Sequence, residues 1–200
     1  AAVETRASLI PPVTSFALTP TLPISIKENA SIDPINPYGN TKAAVENILE
    51  DLSKSKDNEW NISILRYFNP VAAHPSGTIG EDPEGVPSNL FPYITQVALG
   101  KKPHLKVFGN DYCTTDGSGV RDFIHVMDLA EGHIAAVKHM HSKSNGFEVF
   151  NLGSGQGYPV LEIVREFQKS TRCRVDYIIE PRSEGDIPIS ISDTNKAKKY

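Results

Sequence analysis

The run Asn61-Ile-Ser-Ile-Leu-Arg-Tyr-Phe-Asn69 constrains this chain more than any other stretch. It is nearly continuously apolar, without the polar alternation of a strand that faces water. A strand of that kind has to be covered on both faces. The pattern around it supplies the cover. Ahead of it, Ala44, Val45, Ile48, Leu49 and Leu52 recur at helical spacing behind Pro37, and proline suits the first turn of a helix. Beyond it, VMDLAEGHIAAVKHMH reads as a helix with Asp128 in its first turn, where a carboxylate favours the helix dipole.

The other segments continue the alternation. SNLFPYITQVALG reads as a helix capped by Ser88 or Asn89, with Pro92 in its first turn and Gly100 as its stop. HLKVFG, FEVFNLG and RVDYIIE read as short strands, and YPVLEIVREFQKS as a helix. Strand and helix in alternation make an α/β class. Residues 1–33 differ: they hold four prolines and many Ser and Thr, with one strand expected near Val13–Leu18. They form an irregular or divergent N-terminal segment, and residues 34–200 the regular remainder.

An apolar content of 39% and a charged content of 22% fit a soluble globular chain. A net charge of -4 argues against a general nucleic-acid or membrane surface. No apolar run approaches the roughly 20 residues of a membrane span. Cys113 and Cys173 are the only cysteines, form no CxxC, and point to a reducing compartment such as the cytoplasm. The Asn29 and Asn61 sequons are discounted, because no leader directs the chain to a glycosylating compartment. The chain begins at Ala1 rather than Met, and both ends read as cut from something longer.

Tyr38 and Lys42 stand four apart at the start of the first helix, so they share one face. A free phenol is a poor base at neutral pH, and a neighbouring ammonium favours the phenolate. Such a pair suits proton abstraction from a hydroxyl as hydride leaves the same carbon. The pattern alone is weak, since Tyr and Lys four apart arise by chance. Gly153, Gly155 and Gly157 sit between a strand and a helix in the manner of a dinucleotide fingerprint, yet the spacing is GxGxG rather than GxGxxG. A tight strand-to-helix turn is the favoured reading. His133, His139 and His141 form no metal-ligand pattern, and no metal is expected. Asn69, Asn89, Arg121 and the PRSEGD run stand at strand ends and helix starts, where open α/β proteins bind ligands. Arg121 suits a bidentate phosphate contact or, equally, an ion pair with Asp122 or Asp128.

Taken together and in order, NPYGNTKAAVENIL, LRYFNPVAAHPSGTIGEDPEGVPSNLFPYITQVALGK, VFGNDYCTTDGSGVRDFIHVMDLAEGH, NLGSGQG and EGD resemble the UDP-glucose 4-epimerases, extended short-chain dehydrogenase/reductases. The resemblance covers about residues 34–195. It implies a doubly wound NAD-binding fold interleaved with a smaller α/β sugar-nucleotide domain, and NAD as cofactor. It implies interconversion of UDP-glucose and UDP-galactose in galactose metabolism, through a 4-keto sugar. It places Tyr38 as base and Lys42 as its partner and ribose ligand, with Phe68 beside the nicotinamide. Asn69, Asn89 and Leu90 match contacts to the sugar nucleotide. Lys106, Val107 and Phe108 match the strand beside uracil, Arg121 a diphosphate ligand, and Asp186 a ribose ligand. Ser190 matches a gatekeeper whose small side chain leaves room for an N-acetyl group. The resemblance also implies a homodimer, formed by the helix that carries Tyr38 and Lys42.

This sequence departs from the family in three places. No GxxGxxG precedes Tyr38, so the half that cradles the NAD pyrophosphate is absent from the sequence and the chain is expected to be inactive as it stands. Thr14 and Ser15 lie near the place of the family's Ser/Thr that bonds the reacting hydroxyl, without the surrounding pattern. Ser183 replaces the second diphosphate arginine, and the adjacent Arg182 is expected to point elsewhere. The alternatives are a related NAD-dependent sugar-nucleotide dehydratase or epimerase, and a non-catalytic remnant or paralogue fragment.

Overall fold

The computed structural model describes residues 7–8, 25–56, 60–142, 146–183 and 185–200. In chain order the elements are β1 (Ala7–Ser8), α1 (Pro37–Ser53), β2 (Asn61–Tyr67), β3 (Asn69–Val71), α2 (Leu90–Ala98), β4 (Leu105–Phe108), β5 (Val120–His125), α3 (Val126–His141), β6 (Gly146–Leu152), β7 (Gly157–Pro159), α4 (Val160–Thr171), β8 (Tyr177–Glu180), β9 (Ile189–Ser190) and α5 (Asn195–Lys199). The strand expected near Val13–Leu18, and Thr14 and Ser15, lie outside the described residues.

The apolar run of β2 is covered on both faces, as its composition demands. It pairs in parallel with β1 on one side and along its whole length with β6 on the other, from Asn61↔Gly146 to Tyr67↔Leu152. Side chains alternate along a strand. Ile62 and Ile64 therefore face α1, packing with Leu49, Trp60, Phe147 and Val149. Leu65 and Tyr67 face α3, with Leu129, Ala136, Phe150 and Leu152. Helix, parallel sheet and helix make one α/β sandwich.

The expected single strand ends earlier than its apolar composition suggests. After Phe68 donates its N–H to Leu152 at 3.0 Å, the chain leaves this sheet. Residues 69–71 become β3 and pair with β5 instead. A run of apolar residues marks burial but not which neighbour a strand takes. The second sheet has β5 at its centre, parallel to β3 and β9 and antiparallel to β7. A third pair, β4 with β8, is covered by α2 and α4 through Ile94, Val97, Leu105, Val107, Val164 and Val175.

Two helix starts differ from expectation. Asn89 precedes α2, but its side chain makes no cap and instead donates to Glu81 at 2.8 Å. Helix α4 begins at Val160, because Gly157–Pro159 are drawn out as β7 against β5. Among the described residues no helix is long and apolar enough to cross a membrane.

One buried ion pair joins α1 to the sheet. Arg66 and Glu46 are each 4% exposed, and Arg66 Nε donates to Glu46 Oε2 at 3.1 Å, with a second bond from Nη2 to Oε1. Arg66 Nη1 also donates to the Glu28 carbonyl at 2.8 Å. The Glu28 carboxylate accepts the Asn151 N–H at 3.0 Å. Breaking a buried pair leaves a charge without a partner, which costs about 3–5 kcal/mol, whereas replacing both partners with apolar groups is close to neutral. Glu46→Ala is therefore expected to lower the unfolding free energy by about 3 kcal/mol in denaturant titration, and Glu46→Leu with Arg66→Met to recover most of it. A loss under about 1 kcal/mol in the single variant would show that water repays the stranded guanidinium.

Candidate active site

Strand β5 is the element that organises the site, and no hydrophobic pattern announced it. Its inward positions are Val120, Asp122 and Ile124. The middle one is a carboxylate with 0% exposure. Asp122 accepts from Ser154 N at 2.7 Å, Ser154 Oγ at 2.6 Å, Gly155 N at 3.0 Å and Ser192 N at 3.0 Å, and also from Ser192 Oγ. A buried carboxylate is tolerable only when its lone pairs are satisfied in this way. The contacts fasten the turn after β6 and the exit of β9 onto β5.

That arrangement explains the glycines. A Cβ on Gly153 would lie 2.6 Å from Asp122 Oδ2 and closer still to Ser192 Oγ. Gly155 has φ +77°, a conformation in which a side chain is strained. The turn closes on the protein's own carboxylate, so it does not cradle a pyrophosphate. It is the tight turn that the irregular glycine spacing suggests, although it leads into β7 before α4.

Neighbours on a strand point to opposite faces, so Arg121 faces away from Asp122. Its ion pair is with Asp186, not with Asp122 or Asp128. In register, Arg121 lies opposite Ser190 of β9. Arg121, Asp186 and Ser190 thus meet, although more than 60 positions separate Arg121 from Asp186.

The same loop reaches α1. A Cβ on Gly185 would stand 3.4 Å from Asn36 Nδ2 and 3.7 Å from Ile35 Cγ1. Asn36 is the cap of α1, its Oδ1 accepting the Gly39 N–H at 2.8 Å. The Arg121–Asp186 pair therefore adjoins the turn that launches Tyr38. Tyr38 is 57% exposed, and Lys42 Nζ lies over its ring, 5.3 Å from the centroid. Sequence reasoning passed over Asn36, though an asparagine before a first-turn proline is a start signal for a helix.

The remaining candidates reach the site less evenly. Asn69 of β3 is the register partner of Phe123 in β5. Phe123 takes the ring edge of Phe91 at 5.7 Å, which brings the Asn89–Leu90 end of α2 toward the same strand. Phe68 is 3% exposed at the end of β2. Val107 has its side chain in the core below β4, while Lys106 and Phe108 are exposed, and Lys106 pairs with Glu180 at 3.2 Å. The residues present fit the nicotinamide end of a dinucleotide: an exposed phenol and ammonium on one helical turn, with an aromatic ring at the adjoining strand end. The glycine turn after β6 is filled by the Asp122 carboxylate and leaves no room for its pyrophosphate.

The profile of the NAD dependent epimerase/dehydratase family matches residues 13–153, reaching further into the N-terminal segment than the quoted motifs do. The chain is 54% identical to a UDP-glucose 4-epimerase of Dictyostelium discoideum over 88% of its length and 51% of the relative's. It is 51% identical to one of Bacillus subtilis over 93% of its length and 54% of the relative's. The chain therefore spans about half the length of these curated relatives. Among solved structures, a Stenotrophomonas maltophila UDP-glucose 4-epimerase with bound NAD and formylated UDP-arabinopyranose superposes with a TM-score of 0.87 at 44% identity, covering 96% of this chain and 55% of that one. The Bifidobacterium longum enzyme, in complex with NAD+ and UDP, gives 0.84 at 44% identity, covering 96% and 56%.

Removing the Asp122 carboxylate strands three backbone N–H groups in a dry place, at about 1–3 kcal/mol each. Asp122→Ala is expected to cost at least about 3 kcal/mol in thermal or chemical unfolding. A cost below about 1 kcal/mol would mean that water enters and satisfies the turn.

Proposed function

From its membership of the NAD dependent epimerase/dehydratase family, we propose that this chain is the catalytic and sugar-nucleotide half of a UDP-glucose 4-epimerase. The observation that carries the reading is the packing of Gly185 on Ile35 and Asn36, which sets the Arg121–Asp186 pair beside the turn bearing Tyr38. The loop that pairs with a guanidinium suited to phosphate then lies against the turn that leads into a phenol suited to proton transfer, as a nucleotide sugar requires. The relatives named above support the same chemistry.

In this reading Arg121 holds the diphosphate, and Asp186 turns from Arg121 to the ribose hydroxyls. Asn69, Asn89 and Leu90 hold the sugar end, Lys106 and Phe108 flank the base, and the small Ser190 leaves room beside the sugar. Tyr38 takes the proton from the sugar 4-hydroxyl and later returns it. Lys42 holds the nicotinamide ribose and Phe68 packs beside the ring. Bound NAD supplies the hydride acceptor and donor at C4. Because Asp122 closes the glycine turn after β6, the pyrophosphate has to be held elsewhere. Both cysteines are free and exposed, in keeping with a cytoplasmic setting.

The test is the nucleotide content and activity of the purified 200-residue chain. NAD released on denaturation, with conversion of UDP-galactose that falls at least about 100-fold in Tyr38→Phe, is the expected result for a working centre. A folded chain that binds UDP but neither NAD nor turns over substrate would make it a nucleotide-sugar-binding half. A folded chain that binds neither would overturn the proposal.

The outward face of α1 supports the homodimer. Val45, Ile48 and Leu52 lie along it exposed, Ile48 by 64%. An apolar stripe of this kind on a surface helix calls for a partner. Sedimentation is expected to find a dimer that Ile48→Glu converts to monomer, and a wild-type monomer would contradict the pairing.

A further inference from the structure

Tyr112, in the loop after β4, is 5% exposed, and its hydroxyl is buried without a hydrogen-bond partner. A buried tyrosine hydroxyl ordinarily finds one. One guanidinium group stacks on its ring. Arg182 lies over the Tyr112 ring at 4.2 Å, with Nε on Asp111 Oδ1 and Nη2 on the Asp111 carbonyl, each at 2.8 Å. Asp186, in the same loop as Arg182, pairs with Arg121. Burial pushes the Tyr112 phenol up. The Asp186 charge adds to this and Arg182 and Arg121 oppose it, so the phenol lies within the field of both ion pairs. Arg182 holds the Asp111 carboxyl below its ordinary range.

The backbone makes room for this stack. Gly109 has φ +78°, and a Cβ there would lie 2.6 Å from Tyr112 Cε2 and 2.9 Å from Arg182 Cγ. Arg182 is nonetheless half exposed, and Asp111 more so. An ion pair that open to water is weak, and a doubly charged ligand outcompetes one carboxylate for the same guanidinium.

We propose that Arg182 and the Tyr112 hydroxyl form a second anion contact for the diphosphate of the nucleotide substrate, with Asp111 holding Arg182 in reserve until the ligand arrives. The proposal rests on the nucleotide-sugar reading above. It amends the expectation that Ser183 leaves the diphosphate with one arginine. On binding, Arg182 exchanges Asp111 for a phosphate oxygen, and the Tyr112 hydroxyl donates the hydrogen bond it lacks in the free chain.

Calorimetric titration of the 200-residue chain with UDP and, separately, with uridine tests this. Arg182→Ala is expected to weaken UDP about tenfold and leave uridine within about twofold, the size of one lost charge-assisted contact. Arg182→Lys restores part of the loss. Tyr112→Phe weakens UDP alone, by about three- to tenfold. Asp111→Asn tightens UDP, since it releases the competitor. UDP affinity unchanged in Arg182→Ala, or uridine lost in step with UDP, would overturn the proposal while leaving the nucleotide-sugar reading in place. No UDP binding by the folded wild-type chain would overturn both.

Discussion

A single carboxylate sets the geometry on which the site depends. Asp122 sits at an inward position of β5 and is satisfied entirely by groups from elsewhere in the chain: the turn after β6 and the residues just past β9. Each of those segments is irregular or only two to three residues long and could not hold its place by strand pairing alone. With both fastened to β5, Ser190 comes into register with Arg121 and the loop carrying Asp186 is brought back over the strand. The alternation of a strand then does the rest. The residue that holds the scaffold faces inward, and the residue suited to a ligand faces out.

A second constraint couples the sandwich to the site. Helix α1 presents Tyr38 and Lys42 at its first turns and Glu46 one turn further, where the chain has gone from exposed to buried. Glu46 meets Arg66 from the same face of β2 that carries Ile62 and Ile64. A charge pair in that place adds little net stability compared with apolar packing, but its bidentate geometry fixes rotation and register more sharply than a greasy contact does. The backbone carbonyl of Glu28 and the amide of Asn151 extend the same network, so α1, β2 and β6 share one set of hydrogen bonds.

Much of the architecture was legible from residue order. The covered strand, α1, α3 and the alternation into an α/β fold all followed from periodicity, because long amphipathic segments carry their burial pattern locally. Helix α3 has the bounds its pattern implies. What escaped was β5, whose inward carboxylate breaks the apolar pattern, and β9, which is too short to have one. The split of the apolar run into β2 and β3 also escaped, because composition reports burial and not pairing. Asn89 looked like a helix cap and bonds Glu81 instead. At the site, Tyr38, Lys42, Asn69, Arg121 and Asp186 were singled out from the sequence, whereas Asn36, Tyr112 and Asp122 lie inside the matching runs but showed their roles only once their neighbours were in place.

The sequence by itself determined the fold class, the helix that carries a phenol and an ammonium on one face, and the family resemblance, since each is written in spacing within segments or in their order along the chain. Only the tertiary structure decided which carboxylate partners Arg121, what the glycine turn encloses, and that the loop after β8 lies against the start of α1. Those depend on contacts between residues tens to more than a hundred positions apart. Such contacts are selected by the joint packing of β5, β9 and α1 and by the need to satisfy buried charge, neither of which any local stretch of chain can encode.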